Sequence, residues 1–138
     1  MADHLSASCK CGSVEIRIAV VPTVSVNCHC QMCRKMNGAA FSTYVPVLTS
    51  DTSVSRGGDL IGSYQVTARA SKHWCQTCGT PLFNTNSLYP GMSMLYLGAL
   101  PEFNAIAPRA NIFCSSKLAW VDTITHMTNY AEARTART

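Results

Sequence analysis

Eight cysteines, at positions 9, 11, 28, 30, 33, 75, 78 and 114, constrain this 138-residue chain more than any other feature. Seven of them fall into three tight groups. Cysteines one or two residues apart are poorly placed to bridge one another, yet well placed to bring thiolates onto one ion. The opening residues 1–5 lack the charged region and long apolar stretch of a secretion signal, so neither export nor a disulfide framework is expected. The expectation is a cytoplasmic, metal-binding protein.

The length suits one compact domain over residues 1–138, and 47% apolar residues suffice for a single core. Only 13% of residues are charged, with a net charge of +4. The basic residues are scattered and only Arg34 and Lys35 are adjacent, so no stripe for nucleic acid is expected. No apolar run approaches the roughly 18 residues that cross a bilayer, so no membrane partner is expected either.

Val14, Ile16, Ile18 and Val20 recur at period two and predict a half-buried strand. Residues 41–48 are rich in aromatic and β-branched types, with Pro46 pushing part of that strand to an edge. Gly57-Gly58-Asp59 marks a turn, and residues 60–66, 68–75, 94–97 and 111–114 read as further short strands. Helix is expected only after Cys30 and in the tail 124–137. The fold class is therefore mainly β, built of short antiparallel strands.

Cys9-Lys10-Cys11-Gly12 and Cys75-Gln76-Thr77-Cys78-Gly79 are two-thiolate knuckles. A glycine after each can take positive φ and turn the backbone round an ion. Together they offer four sulfurs, a closed tetrahedron and hence a structural zinc site. Cys28-His29-Cys30-Gln31-Met32-Cys33 offers three thiolates in six residues. Three chain ligands and an open position make a reactive zinc site, which would hold an incoming thiol as thiolate. The other reading is a second closed site completed by Cys114, His29, His73 or His126.

The succession Cys-x-Cys-Gly, Cys-His-Cys-x-x-Cys-Arg-Lys and Cys-x-x-Cys-Gly-Thr-Pro-Leu resembles the glutathione-dependent formaldehyde-activating enzyme family, to which centromere protein V belongs. The likeness covers a core of about 6–120 and leaves a tail of about 124–138. It implies a zinc-containing β-tent similar to methionine sulfoxide reductase B. It implies two zinc ions per chain, one structural on Cys9, Cys11, Cys75 and Cys78, and one labile and active on Cys28, Cys30 and Cys33. The implied chemistry is carbon–sulfur lyase type, joining glutathione and formaldehyde into S-hydroxymethylglutathione or the reverse. One position departs from the family pattern: the Pro-x-x-His-Ile strand reads Pro108-Arg109-Ala110-Asn111-Ile112, which removes a group able to exchange a proton near neutral pH. That substitution keeps a second reading open, a zinc-stabilised binding module without catalysis.

Of the remaining residues, Arg34 and Lys35 are candidates to receive a glutathione carboxylate. His29 reads as a partly exposed loop side chain, Cys114 as a small hydrophobe in an apolar strand, Trp74 and Trp120 as core, and Met92 and Met94 as packing.

Overall fold

The computed structural model describes residues 5–101 and 106–134. Ten strands form two sheets. The smaller is antiparallel, in the order β1 (Leu5–Ser8), β2 (Glu15–Ile18), β5 (Thr52–Arg56). The larger has seven strands, in the order β10 (Asn111–Ile112), β3 (Val26–Cys28), β4 (Ser42–Leu48), β9 (Met92–Tyr96), β8 (Pro81–Asn86), β7 (Ala70–Cys75), β6 (Ile61–Gln65). Its pairings are antiparallel except β10 on β3, which is parallel. The mainly β class expected from the sequence is the one observed, with one helix, α1 (Gln31–Asn37), directly after Cys30.

Alternation explains how the larger sheet serves two purposes. In β4, Val45 and Val47 are buried in the main core with Ile16 and Ile18 of the smaller sheet. Tyr44 and Pro46, on the opposite face, line a cavity. In β9, Leu95 belongs to the core while Met92, Met94 and Tyr96 line that same cavity. Successive side chains point to opposite faces of a strand, so one run of residues can build both core and site. Leu82, Val14 and Ala7 are fully buried in the same core.

Several expectations need correction. Val14, Ile16 and Ile18 are buried, but the strand ends at Ile18 and Val20 is exposed. β4 is internal in the sheet order, but the β3 register on it stops at Tyr44, so at Pro46 only the β9 side is paired and that part of the strand is an edge, as expected. β10 ends at Ile112; Phe113 then turns into the left-handed region (φ 55) and Cys114 begins an exposed 3₁₀ turn, Cys114–Ser116. Cys114 is therefore not a core residue. The tail forms a 3₁₀ stretch, Ala119–His126, and no α-helix among its described residues; 135–138 lie outside them. Trp120 is exposed and Trp74 only half-buried. The turn at Gly57 is present, with φ 74 and a 3₁₀ turn at Gly58–Leu60.

Candidate metal centres

The first centre joins the ends of two sheets. Cys9 follows β1 and its knuckle leads into β2; Cys75 ends β7 and its knuckle leads into β8. Gly12 and Gly79 both take φ 80, as the knuckle reading requires. The Sγ atoms of Cys9, Cys11, Cys75 and Cys78 all lie within 4.8 Å of one another. Cys9 and Cys11 are 3.6 Å apart, Cys11 and Cys75 3.9 Å. A tetrahedron with bonds of about 2.3 Å has an edge of about 3.8 Å, so these four sulfurs fit a zinc ion. Val14 N–H donates to Cys9 Sγ at 3.2 Å. The Thr80 hydroxyl, 3.1 Å from Cys78 Sγ, is the chief reason the Cys78 thiol is pulled down to about 5. Burial pushes Cys75 up, the opposite direction. Cys9 and Cys75 are buried, Cys11 and Cys78 exposed.

The second centre is local. Cys28 ends β3, Cys30 is the N-cap of α1, and Cys33 stands in the first turn of that helix. Cys33 N–H donates to Cys30 Sγ at 3.2 Å, so a ligand sulfur also caps the helix. The three sulfurs lie within 4.8 Å of one another, and no His, Asp or Glu joins them among the described residues. Cys33 Sγ is 3.3 Å from Cys28 Sγ and 3.0 Å from the Tyr44 hydroxyl. Donation from Cys33 lowers the Cys28 thiol below its usual range and holds Cys33 well above it. Burial raises Cys30. Burial, with Tyr96 beside it, keeps Tyr44 protonated far above neutral pH, so its O–H donates to Cys33. Tyr96 is pushed up to about 12 by the same burial.

None of the four residues considered as a fourth ligand joins this group. Cys114 is exposed, and its thiol points to the Asn111 carbonyl. His73 sits in β7 stacked on Phe83, and His126 lies in the exposed tail. His29 is fully buried, not a partly exposed loop residue, and packs on Phe41. Its Nε2 lies 3.0 Å from Asn111 Oδ1, which also accepts from Asn27 Nδ2 at 3.1 Å. An oxygen on that side makes Nε2 the protonated nitrogen and leaves buried Nδ1 without a partner. Asn111 thus holds His29 in place.

A cavity of about 550 Å³ opens beside Cys28, Cys30 and Cys33. Tyr44, Tyr96 and four methionines (32, 36, 92 and 94) supply much of its wall. Met94 packs against buried Cys28, Tyr44 and Tyr96, as expected, and both Met92 and Met94 also face the cavity. Arg34 and Lys35 do not line it. The Arg34 guanidinium instead donates to the carbonyls of His29 and Ser116, both at 2.7 Å, tying the cysteine loop to the turn after β10. Lys35 is exposed on α1. The cation that does face the cavity is Lys72 of β7, which no motif or local pattern singles out.

A sequence model of the family described as glutathione-dependent formaldehyde-activating enzyme matches residues 4–116. The chain belongs to this family. A Podospora anserina protein provisionally named as such an enzyme is 32% identical over 77 residues, covering 54% of this chain and 36% of that protein. A Pyrenophora teres f. teres protein with the same provisional name is 25% identical over 113 residues, 78% of this chain and 60% of that one. The chain thus spans between about a third and three fifths of the length of these relatives. A Rhodobacter sphaeroides protein of solved structure superposes with a TM-score of 0.63 at 23% identity, covering 78% of this chain and 99% of that one. That likeness is one of fold. Among the described residues, no helix is long and apolar enough to cross a membrane.

Proposed function

We propose that the chain is a zinc-dependent enzyme of the carbon–sulfur lyase type, joining a thiol to a small carbonyl compound or cleaving the adduct. Family membership supports glutathione as the thiol and formaldehyde as the carbonyl. The observation that carries the reading is a set of three sulfurs, with no fourth ligand among the described residues, opening on a cavity of about 550 Å³. Cys9, Cys11, Cys75 and Cys78 would hold a structural zinc; Cys28, Cys30 and Cys33 would hold the active one. When bound at the three cysteines, zinc supplies a Lewis acid that keeps a thiol ionised at neutral pH.

The chain's own part is to hold and shield the reactants. The thiol sulfur adds to the carbonyl carbon, the C=O π pair moves to oxygen, and that oxygen takes up a proton as the thiol loses one. No oxidant or reductant is needed. Tyr44, protonated and donating to Cys33 Sγ at 3.0 Å, holds that sulfur in place at the cavity wall. Arg34 anchors the cysteine loop through the His29 and Ser116 carbonyls, and the apolar wall excludes water. Lys35, exposed on α1 outside the cavity lining, would be free to receive a substrate carboxylate. All eight cysteines are free thiols, which suits the reducing cytoplasm in which we place the enzyme.

The test is a cobalt-substituted protein titrated with millimolar glutathione. A thiol-dependent change in the cobalt spectrum, abolished in Cys28→Ser, is expected. A spectrum unchanged by glutathione and by 4-mercaptobutanoate alike overturns the reading. The engagement of Asn111 with both His29 and Asn27 favours a second reading, a non-catalytic zinc-stabilised binding module. In that case thiols leave the metal untouched.

A further inference from the structure

Lys72 is 8% exposed and stands in the cavity wall, on the strand four places from β3 in the sheet order. Its Nζ donates to the Met36 carbonyl and lies 5.9 Å from the centroid of the Tyr96 ring. Among the described residues, no Asp or Glu lines the cavity. The ion pairs present among the described residues engage Arg17, Arg56 and Lys117 instead. A buried ammonium with one carbonyl and no carboxylate is a costly arrangement, and desolvation accordingly pulls its pKa down. Met36 follows Cys33 by three residues in α1, about one helical turn or 5 Å along the axis. The same lysine lines one cavity with Cys28, Cys30 and Cys33.

Building on the thiol-binding reading above, we propose that Lys72 is the anion anchor of the cavity, and that the thiol received there is a mercaptocarboxylate with an apolar chain. The sulfur lies toward Cys28, Cys30 and Cys33, the carboxylate takes the free donors of Lys72 Nζ, and the chain lies against the methionines. Glutathione fits this wall less well. Its α-ammonium would need an acidic partner, and the described residues of the lining offer none. Formaldehyde alone needs neither the cation nor the space.

Four of the six methionines line the cavity, so ¹³C-methyl methionine NMR reports binding directly. Reduced, zinc-reconstituted full-length protein is titrated with 4-mercaptobutanoate, 4-mercaptobutan-1-ol, butanoate and glutathione. The acid should bind about tenfold or more tightly than the alcohol, the scale of a charge-assisted hydrogen bond. Lys72→Met should erase that difference, and glutathione should bind more weakly than 4-mercaptobutanoate. Equal affinities for acid and alcohol in the wild type overturn the anchor while leaving the thiol reading intact. Lys72-dependent binding of butanoate that a thiol does not tighten overturns the thiol reading and the proposed ligand with it. Glutathione binding more tightly than the mercaptoacid overturns the ligand class. Zinc content is measured on Lys72→Met in parallel: loss of one equivalent means that the lysine offsets the cluster's charge, and the anchor fails. The wild-type comparison decides the matter even where the variant does not fold.

Discussion

The two cysteine clusters should differ sharply in what they contribute to folding, and the difference follows from chain connectivity. The four-cysteine centre links Cys11 to Cys75, which are 64 residues apart. Treated as a cross-link, a loop of that length removes about 4 kcal/mol of conformational entropy from the unfolded chain. Cys28 and Cys33 are five residues apart, for which the same expression gives only about 2 kcal/mol. The clean perturbation uses the exposed members, Cys11 and Cys78, because replacing buried Cys75 would also open a hole in the core. Cys11→Ser/Cys78→Ser removes half the donors and leaves packing untouched. With an unfolding entropy of about 2.1 cal/mol/K per residue, 4 kcal/mol corresponds to a fall in Tm of about 14 °C. Cys30→Ser/Cys33→Ser should lower Tm by at most about half as much. Serine at position 30 retains an oxygen that can cap α1, so the helix start survives. Differential scanning calorimetry on reduced, zinc-reconstituted protein, with metal analysis per chain, reads both numbers. Each variant should lose one zinc equivalent, and mild chelation of the wild type should remove the three-cysteine equivalent first. Equal falls in Tm, or two equivalents that resist chelation alike until unfolding, would refute the reasoning and favour a binding module with two structural ions.

Three further outcomes are expected. Tyr44→Phe deletes the hydroxyl 3.0 Å from Cys33 Sγ and should weaken metal binding at the three-cysteine cluster about 10–100-fold in chelator competition, with the fold retained. Leu82→Ala empties a fully buried site in the main core and should cost about 2–5 kcal/mol in urea unfolding. In the zinc-free protein the Cys78 thiol, lowered to about 5 from an ordinary 9.0, stabilises the fold fully above the ordinary value and loses that contribution as pH falls through about 5. Tm should accordingly decline on acidification from pH 9 toward 5, and Thr80→Val, which removes the chief cause of the shift, should flatten that decline.

What the sequence disclosed and what it withheld divide along contact distance. Ligand groups such as Cys9-x-Cys11 and Cys75-x-x-Cys78 are written in a few adjacent residues, so spacing alone identifies both clusters. The strand at 15–18 and the helix after Cys30 announce themselves by local period and by a cap that is itself a ligand. β1 and β3 are four and three residues long and carry too few positions to show a period. His29 looks like a loop residue because its partner, Asn111, is 82 positions away. Cys114 looks like core because Ile112 and Phe113 precede it, yet the left-handed turn at Phe113 swings it out to solvent.

Lys72 is the most instructive case. In sequence it is one lysine between Ser71 and His73, and nothing in that neighbourhood marks it as buried. Its burial arises because α1, thirty-odd residues earlier, brings the Met36 carbonyl over it, and because Tyr96 of β9 closes the other side. The candidate metal ligands of this site are thus local and legible, while the groups that would choose its substrate are assembled from β4, β7, β9 and α1. Proteins can therefore share every ligand cysteine and still differ in the thiol they accept. A lysine, an acid or an apolar residue at the position of Lys72 would leave the cysteine pattern unchanged and alter the charge that the cavity presents.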